Sequence, residues 1–463
     1  KAKFYFNKLL KIDDKNIKSY LLLGEVLCDT HSFNQGLKLF KKAIELDEKD
    51  HTSHSFLLFY SNYCPNHTSE EIFSYYQQFD NKFGLPLRKE WKPFTPIKKP
   101  KKKLRIGYVS PDFRNHSMKG FLKPVLANHN HEHFEIYAFA ELSKEDHVTK
   151  QYQSYVDHWI PTQNLTDQQM VQKIRDLEID ILVDLAGHTK GTRLGVFARK
   201  PAPVSLSWWI GSGYTTGLSA IDYFLTDDVM APPGSEHLFS ETLCPLPSHA
   251  AIWQPDLQKM GSVNRLPALT KGYITFGTLT RAIRINDNVI KAWSEILKRV
   301  SNSKLIINSS DFNHYKNRRM IISKFKEYKV DSNRLEIGYQ SPPWDIMRQI
   351  DIALDCFPHN SGTTLNEHLY MGNPFITLSN RPGVGKIGAS LLTAIGRGEW
   401  IAVSEEEYIQ KAVNLASDIN KLATIRRSLR REVNQSPIMD HKGFVQKLES
   451  SYKIMWENTL KRD

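Results

Sequence analysis

The stretch "IDIALDCFPHNSGTTLNEHLYMGNPFITLS", residues 350–379, decides the fold. Its first eight residues are a nearly continuous apolar run, the pattern of a strand buried on both faces. "TLNEHLYMG" (364–372) has helical character and stops at Gly372, and "PFITLS" (374–379) is apolar again. Strand, turn, helix and strand in that order form a parallel crossover unit. The turn holds Ser361, Gly362, Thr363 and Thr364, with Asn360 just before it and Glu367 one turn into the helix. A helix N-terminus offers unpaired N–H groups and the positive end of a dipole, so it favours an anion. Gly362 permits close approach, the threonines add hydroxyl donors, and Glu367 can accept from a vicinal diol such as a ribose. These residues together describe a nucleoside diphosphate site. They equally describe a helix capped by Thr363 or Thr364, with Glu367 as first-turn charge.

Outward from this unit the same alternation continues. Apolar runs "LRIGYVS", "FEIYAFA", "IDILVDLA", "PVSLSWW" and "IDYFLT" form one series of predicted strands. "YITFGTL", "KLIINSS", "RLEIGYQ", "IDIALDCF", "PFITLS" and "WIAVS" form a second. Helical stretches such as 166–178 and 286–300 lie between them. Two α/β series predict two Rossmann-like parallel-sheet domains, at 104–255 and 256–463, joined through the polar stretch 253–272. The crevice between two such domains is the expected active site.

The N-terminus differs. "FNKLLKIDDKN" (6–16) and "FKKAIELDEKD" (40–50) superpose at an offset of 34, matching Phe6 with Phe40, Ile12 with Leu46 and Asp13 with Asp47. A helix–turn–helix of that period resembles the tetratricopeptide repeat, and an all-α repeat region is expected over 1–84. The chain starts at Lys1 in what reads as the middle of a unit, so further repeats are expected before it. Residues 85–103 read as a basic linker, and its cluster "KKPKKKLR" (98–105) as a solvated hinge.

Net charge is +12, from 62 basic and 50 acidic residues, but it is spread along the chain. Neither nucleic acid nor membrane is an expected partner, and no apolar run reaches the ~18–20 residues of a membrane helix. Cys28, Cys64, Cys244 and Cys356 form no C-x-x-C pair, which suits a reducing, cytoplasmic setting. His129, His131 and His133 in "NHNHEHFE" alternate in a polar loop and read as solvated rather than metal-binding.

"LRIGYVSPDFRNHSMKGFL", "IDILVDLAGHTKGTRLGVFARKPAPVSLSWWIGSGYTTGLSAIDYFLTD" and "DIALDCFPHNSGTTLNEHLYMGNPFITLS", in this order, resemble the catalytic region of the protein O-linked N-acetylglucosamine transferase and SPINDLY family. The resemblance covers about residues 104–458 and implies a GT-B architecture and an inverting, metal-independent glycosyltransferase with no cofactor. It further implies a UDP-sugar donor, UDP-N-acetylglucosamine first, and Ser or Thr of polypeptide acceptors lying across the cleft and along the repeats. GDP-fucose is the second donor, since the SPINDLY branch uses it, and N-linked glucosyl transfer the third.

By resemblance His116 in "DFRNHSMKG" orients or deprotonates the acceptor hydroxyl, and His188 in "DLAGHTKG" lies near the sugar and phosphates. Asp184 reads as a structural partner. Arg284 in "TFGTLTRAIRIND" stands where the family has a lysine that meets the leaving diphosphate, and Arg281 is a second phosphate candidate. Lys386 in "RPGVGKIGAS" is a weaker one. The chain departs from the family at Ser212-Gly213-Tyr214, where Tyr-Pro-Gly is usual, and at Pro343, where a histidine often packs on the base. Trp344 could stack on a pyrimidine or be a buried core residue. These departures motivate a contrasting expectation, a repeat scaffold with a decayed transferase domain.

Overall fold

Two aspartates 34 residues apart open the same turn. Asp13 accepts the Lys15 N–H at 3.1 Å and Asp47 the Lys49 N–H at 2.9 Å. Asn16 and Asp50, again 34 apart, then cap the helices Ile17–Asp29 and His51–Ser61 with their side chains. The computed structural model, which describes residues 2–30, 32–94, 103–247 and 249–461, thus carries the sequence period into three dimensions. Helices Ala2–Ile12 and Phe33–Leu46 alternate with these two. Phe33, Leu37, Phe40 and Ala43 bury one face against Leu21 and Cys28, and the aromatic Tyr60 and Tyr63 close the cluster.

Two glycines let the paired helices meet. A Cβ on Gly36 would run into the Cys28 sulfur and lie 2.8 Å from the Gly24 carbonyl oxygen. Both residues belong to the facing helix Ile17–Asp29, whose backbone leaves little room to yield. Gly36→Ala is therefore expected to destabilise the protein by about 1–3 kcal/mol, read as a lower urea midpoint with an unchanged denaturant slope.

The first sheet holds β1 (Leu104–Ser110), β2 (Phe134–Ala140), β3 (His158–Pro161), β4 (Ile181–Asp184), β5 (Val204–Trp208), β6 (Tyr223–Thr226) and β7 (Thr242–Pro245), in spatial order β3-β2-β1-β4-β5-β6-β7. The second holds β8 (Ile274–Leu279), β9 (Ser303–Asn308), β10 (Leu335–Gly338), β11 (Ile352–Leu354), β12 (Phe375–Leu378) and β13 (Ile401–Ala402), in order β10-β9-β8-β11-β12-β13. All pairings are parallel. The central strands β1, β4, β5, β8 and β11 are buried almost throughout, as helices on both faces require.

The described chain divides into two units, one running to His67 and resuming over Pro255–Ser436, the other Thr68–Gln254 with Pro437 onward. The C-terminal domain expected over 256–463 is therefore shorter. Its last helix, His441–Leu460, packs with the first sheet: Tyr108 of β1 bonds the Tyr452 hydroxyl at 3.0 Å, and Trp253 N–H donates to the Ile438 carbonyl at 3.1 Å. The helical region expected over 1–84 is likewise shared, because helix Ser69–Phe79 belongs to the first-sheet unit. The expected linker also begins later than 85. Arg88 donates to Ser219, Glu90 pairs with Arg199 at 2.8 Å, and the Trp91 indole donates to the Ala198 carbonyl at 2.8 Å. Of the basic cluster 98–105 expected as a solvated hinge, residues 98–102 lie outside the described residues, whereas Leu104 and Arg105 open β1 and Arg105 pairs with Glu135 and Glu178 at 3.0 Å.

His129 and His131 diverge. His129 is buried between the Tyr108 hydroxyl and Glu449, whereas His131 pairs with Asp157 at the surface. Cys28, Cys64 and Cys356 are buried, Cys244 is half-buried, and none of the four forms a disulfide among the described residues. Among the described residues no helix is long and apolar enough to cross a membrane.

Candidate functional site

Parallel sheets bind ligands at the carboxyl ends of strands where the strand order reverses. In the second sheet that point lies between β8 and β11, and in the first between β1 and β4. The loops leaving these four strands carry all the sequence candidates except Trp344, which opens a short helix after β10, and Lys386, which follows β12.

After β11 the turn wraps around one carboxylate. Asp355 accepts the N–H groups of Cys356 (2.8 Å) and Ser361 (2.9 Å) on one oxygen and the Thr377 hydroxyl (2.8 Å) on the other. Burial pushes its pKa up to about 7 despite these bonds and the nearby Arg284 charge. Asn360 is claimed by the same turn. Its amide donates to the Cys356 carbonyl and its oxygen accepts the Gly388 N–H, and the residue is fully buried. Gly362 follows, and a Cβ built on it would meet nothing within 4 Å.

Helix Thr363–Tyr370 begins there without a side-chain cap. The capping role open to Thr363 and Thr364 is thus not taken, because the cap position falls on Gly362. The first-turn N–H groups keep their dipole for an incoming anion. Thr363, Thr364 and Glu367 are half-buried at this end.

The β8 loop lies alongside. Thr280 and Ser361 hydroxyls bond at 3.1 Å, and the Asn286 amide donates to the Phe357 carbonyl at 2.6 Å. Between these ties a 3-10 turn, Ala282–Arg284, presents the two arginines. Arg284 Nε is 3.4 Å from His359 Nδ1, and its guanidinium lies 5.8 Å from the Tyr63 ring centre. Arg281 lies over the Phe59 and Tyr63 rings, with Nη1 3.5 Å from the Tyr63 hydroxyl. His359 stacks on Tyr63 at 4.2 Å between centres and 13° between planes. Desolvation and the Arg284 charge hold its pKa well below the usual histidine value, so the ring is neutral. Sequence reasoning passed over His359, and nothing in "CFPHNS" signals a stacking partner almost 300 residues earlier.

The remaining second-sheet candidates are placed differently. Trp344 is half-buried, its indole N–H buried without a hydrogen-bond partner among the described residues. Lys386 donates to the Ser379 hydroxyl at 2.9 Å, and burial lowers its pKa.

In the first-sheet unit, His116 sits in the loop after β1. Its Nδ1 is 3.4 Å from both the Asp112 carboxylate and the Met118 N–H. Burial lowers its pKa, against the opposing pull of Asp112. His188, after β4, is buried, and its Nε2 donates to the Thr216 carbonyl at 2.8 Å. That bond places the tautomeric lone pair on Nδ1. Phe79 and Tyr76 of helix Ser69–Phe79 meet the ring edge-on at 4.7 and 5.3 Å. Asp184 is structural, as expected, accepting Ala186 and Gly187 N–H groups and the Ser207 hydroxyl.

Gly187 has φ +52°, and a Cβ there would lie 2.6 Å from the Ser212 Cβ, so loops 185–188 and 209–217 touch through backbone. Of the unusual Ser212-Gly213-Tyr214, the tyrosine faces inward: its hydroxyl donates to the Leu238 carbonyl at 2.7 Å. Buried Glu241, missed in the sequence, braces the following residues by accepting from the Thr215 hydroxyl and the Thr216 N–H.

The description "Glycosyl transferase family 41" matches residues 86–260 and 260–448. The chain is 32% identical over 403 residues to a Petunia hybrida protein named "Probable UDP-N-acetylglucosamine--peptide N-acetylglucosaminyltransferase SPINDLY", covering 85% of this chain and 43% of that one. It is 31% identical over 403 residues to the similarly named SEC protein of Arabidopsis thaliana, covering 81% and 39%. The chain thus spans less than half the length of the curated relatives it matches. Among solved structures, a point mutant of the Thermobaculum terrenum O-GlcNAc transferase superposes with a TM-score of 0.93 at 30% identity, covering 99% of this chain and 88% of that one.

Proposed function

Because the chain belongs to glycosyl transferase family 41, we propose that it transfers a sugar from a nucleoside diphosphate donor to Ser or Thr hydroxyls of polypeptides. The observation that supports this most is the uncapped helix start at Gly362, open to space, beside a loop that presents Arg284. The donor pyrophosphate lies on the 362–364 N–H groups and threonine hydroxyls, and its ribose on Glu367. Arg284 meets the charge that grows on the diphosphate as it leaves.

The reaction is inverting. The acceptor oxygen bonds to the anomeric carbon while the bond to the diphosphate oxygen breaks, and the diphosphate keeps the electron pair. Backbone donors and a guanidinium, rather than a metal ion, carry the leaving-group charge. His116, whose Nδ1 accepts the Met118 N–H, orients or deprotonates the acceptor hydroxyl. His188 supports the donor sugar.

His116 supplies a pH test. Its pKa is lowered from 6.5, so the imidazole stays unprotonated until the pH falls below that value. The acid limb of kcat/KM is expected below pH 6.5, and His116→Ala is expected to remove it along with about 10²–10⁴-fold of the rate.

UDP-N-acetylglucosamine is the first donor and GDP-fucose the second, the departures at Ser212 and Pro343 favouring the test of both. Calorimetric titration with UDP and with GDP, followed by donor screening with mass detection of modified peptide, tests the reading. Binding of neither nucleotide would favour a repeat scaffold instead.

A further inference from the structure

We propose that Tyr63, supplied by the helical repeat segment and braced by the stacked ring of His359, is a positioning residue for Arg284. The proposal rests on the functional reading above, in which Arg284 meets the leaving diphosphate.

Arg284 is a long side chain with much rotamer freedom to lose. A carboxylate would hold it but would also quench the charge the leaving group needs. Among the described residues Arg284 forms no ion pair with a carboxylate. Its nearest aromatic neighbour is the face of Tyr63 at 5.8 Å, with the neutral His359 ring behind it, whose Nδ1–H donates to the Asn360 carbonyl at 2.9 Å. An aromatic face attracts a cation through its quadrupole. It fixes direction and leaves the charge available.

Tyr63 can do this because it is itself immobilised. It is buried, its N–H donates to the Tyr60 carbonyl at 3.1 Å, and its ring packs at 5.4 Å on Phe59. The backbone around it is clamped by Arg381, which donates to the carbonyls of Asn62, Cys64 and His67. His359, tied by its Nδ1–H to the Asn360 carbonyl, stacks on Tyr63 at 4.2 Å and so fixes the plane of the tyrosine ring that faces Arg284. Ile283, one residue before Arg284, is buried in the same cluster as Tyr63, which ties the backbone of the loop to the repeat segment as well.

Donor turnover and UDP and GDP binding should be compared in wild type, Tyr63→Leu, Tyr63→Phe and His359→Ala, each also in an Arg284→Ala background. Tyr63→Leu is expected to lower kcat about tenfold with little change in KM. Tyr63→Phe, which keeps the ring, restores the rate. His359→Ala, which leaves the repeat core untouched, produces the same loss if Tyr63→Leu folds poorly. In the Arg284→Ala background both losses are expected to vanish. An undiminished Tyr63→Leu loss there would assign the tyrosine a merely structural role and overturn the proposal. Unchanged rates for both Tyr63→Leu and His359→Ala in an active wild type would overturn it too. A wild type that neither binds nucleotide nor turns over donor would instead overturn the functional reading, and this proposal with it.

Discussion

Replacing Arg284 with alanine is expected to lower kcat for donor turnover by about 10²–10³-fold, with a smaller change in KM. The diphosphate gains charge as the glycosidic bond breaks, so a cation beside it is worth more in the transition state than in the bound donor. Arg284→Lys should recover part of the rate. The ammonium returns the charge but not the planar fork. Steady-state rates of nucleotide release for the three proteins check this. Equal rates for wild type and Arg284→Ala would remove Arg284 from the chemistry.

The second large effect is expected at Asp355. Alanine there strands the N–H groups of Cys356 and Ser361 and the Thr377 hydroxyl, all inside the protein. At about 1–3 kcal/mol for each unsatisfied buried group, a loss of about 3 kcal/mol or more follows, together with loss of nucleotide binding as the turn at Ser361 relaxes. Asp355→Asn keeps an oxygen for the two N–H groups and should retain most of both. The pair also separates by pH. The folded pKa is raised to about 7 from 3.8, so the folded state holds an extra proton between those values. That contribution to stability is complete below about pH 4 and is lost as the pH rises through 7. Asp355→Asn, which does not titrate, should show a smaller fall in unfolding midpoint from pH 5 to pH 8 than the wild type.

Strand legibility tracked burial. All six strands of the second sheet stand out as apolar runs, because most are covered on both faces. In the first sheet β3 ("HWIP") and β7 ("TLCP") were missed. Each is a four-residue edge strand, exposed at both ends, whose place comes from its neighbour rather than from its own pattern. The helix at 363–370 and the turn before it were legible from Gly362 and the threonines. Asn360 was misplaced because a polar side chain in a turn reads the same whether it faces ligand or serves the turn itself. His359 and Tyr63 were invisible for a different reason. Their meaning lies in a contact between residues distant in sequence, which no local spacing encodes.

The return of helix His441–Leu460 to the first sheet has a consequence for synthesis. A ribosome releases β1 and the His129 loop long before it releases Glu449 and Tyr452, which complete their buried hydrogen bonds. Until helix His441–Leu460 has emerged, the earlier-made half holds polar groups that this helix satisfies. It therefore reaches its finished state after the half encoded downstream of it. A stop codon placed near residue 440 would accordingly cripple the upstream sheet rather than the one it follows.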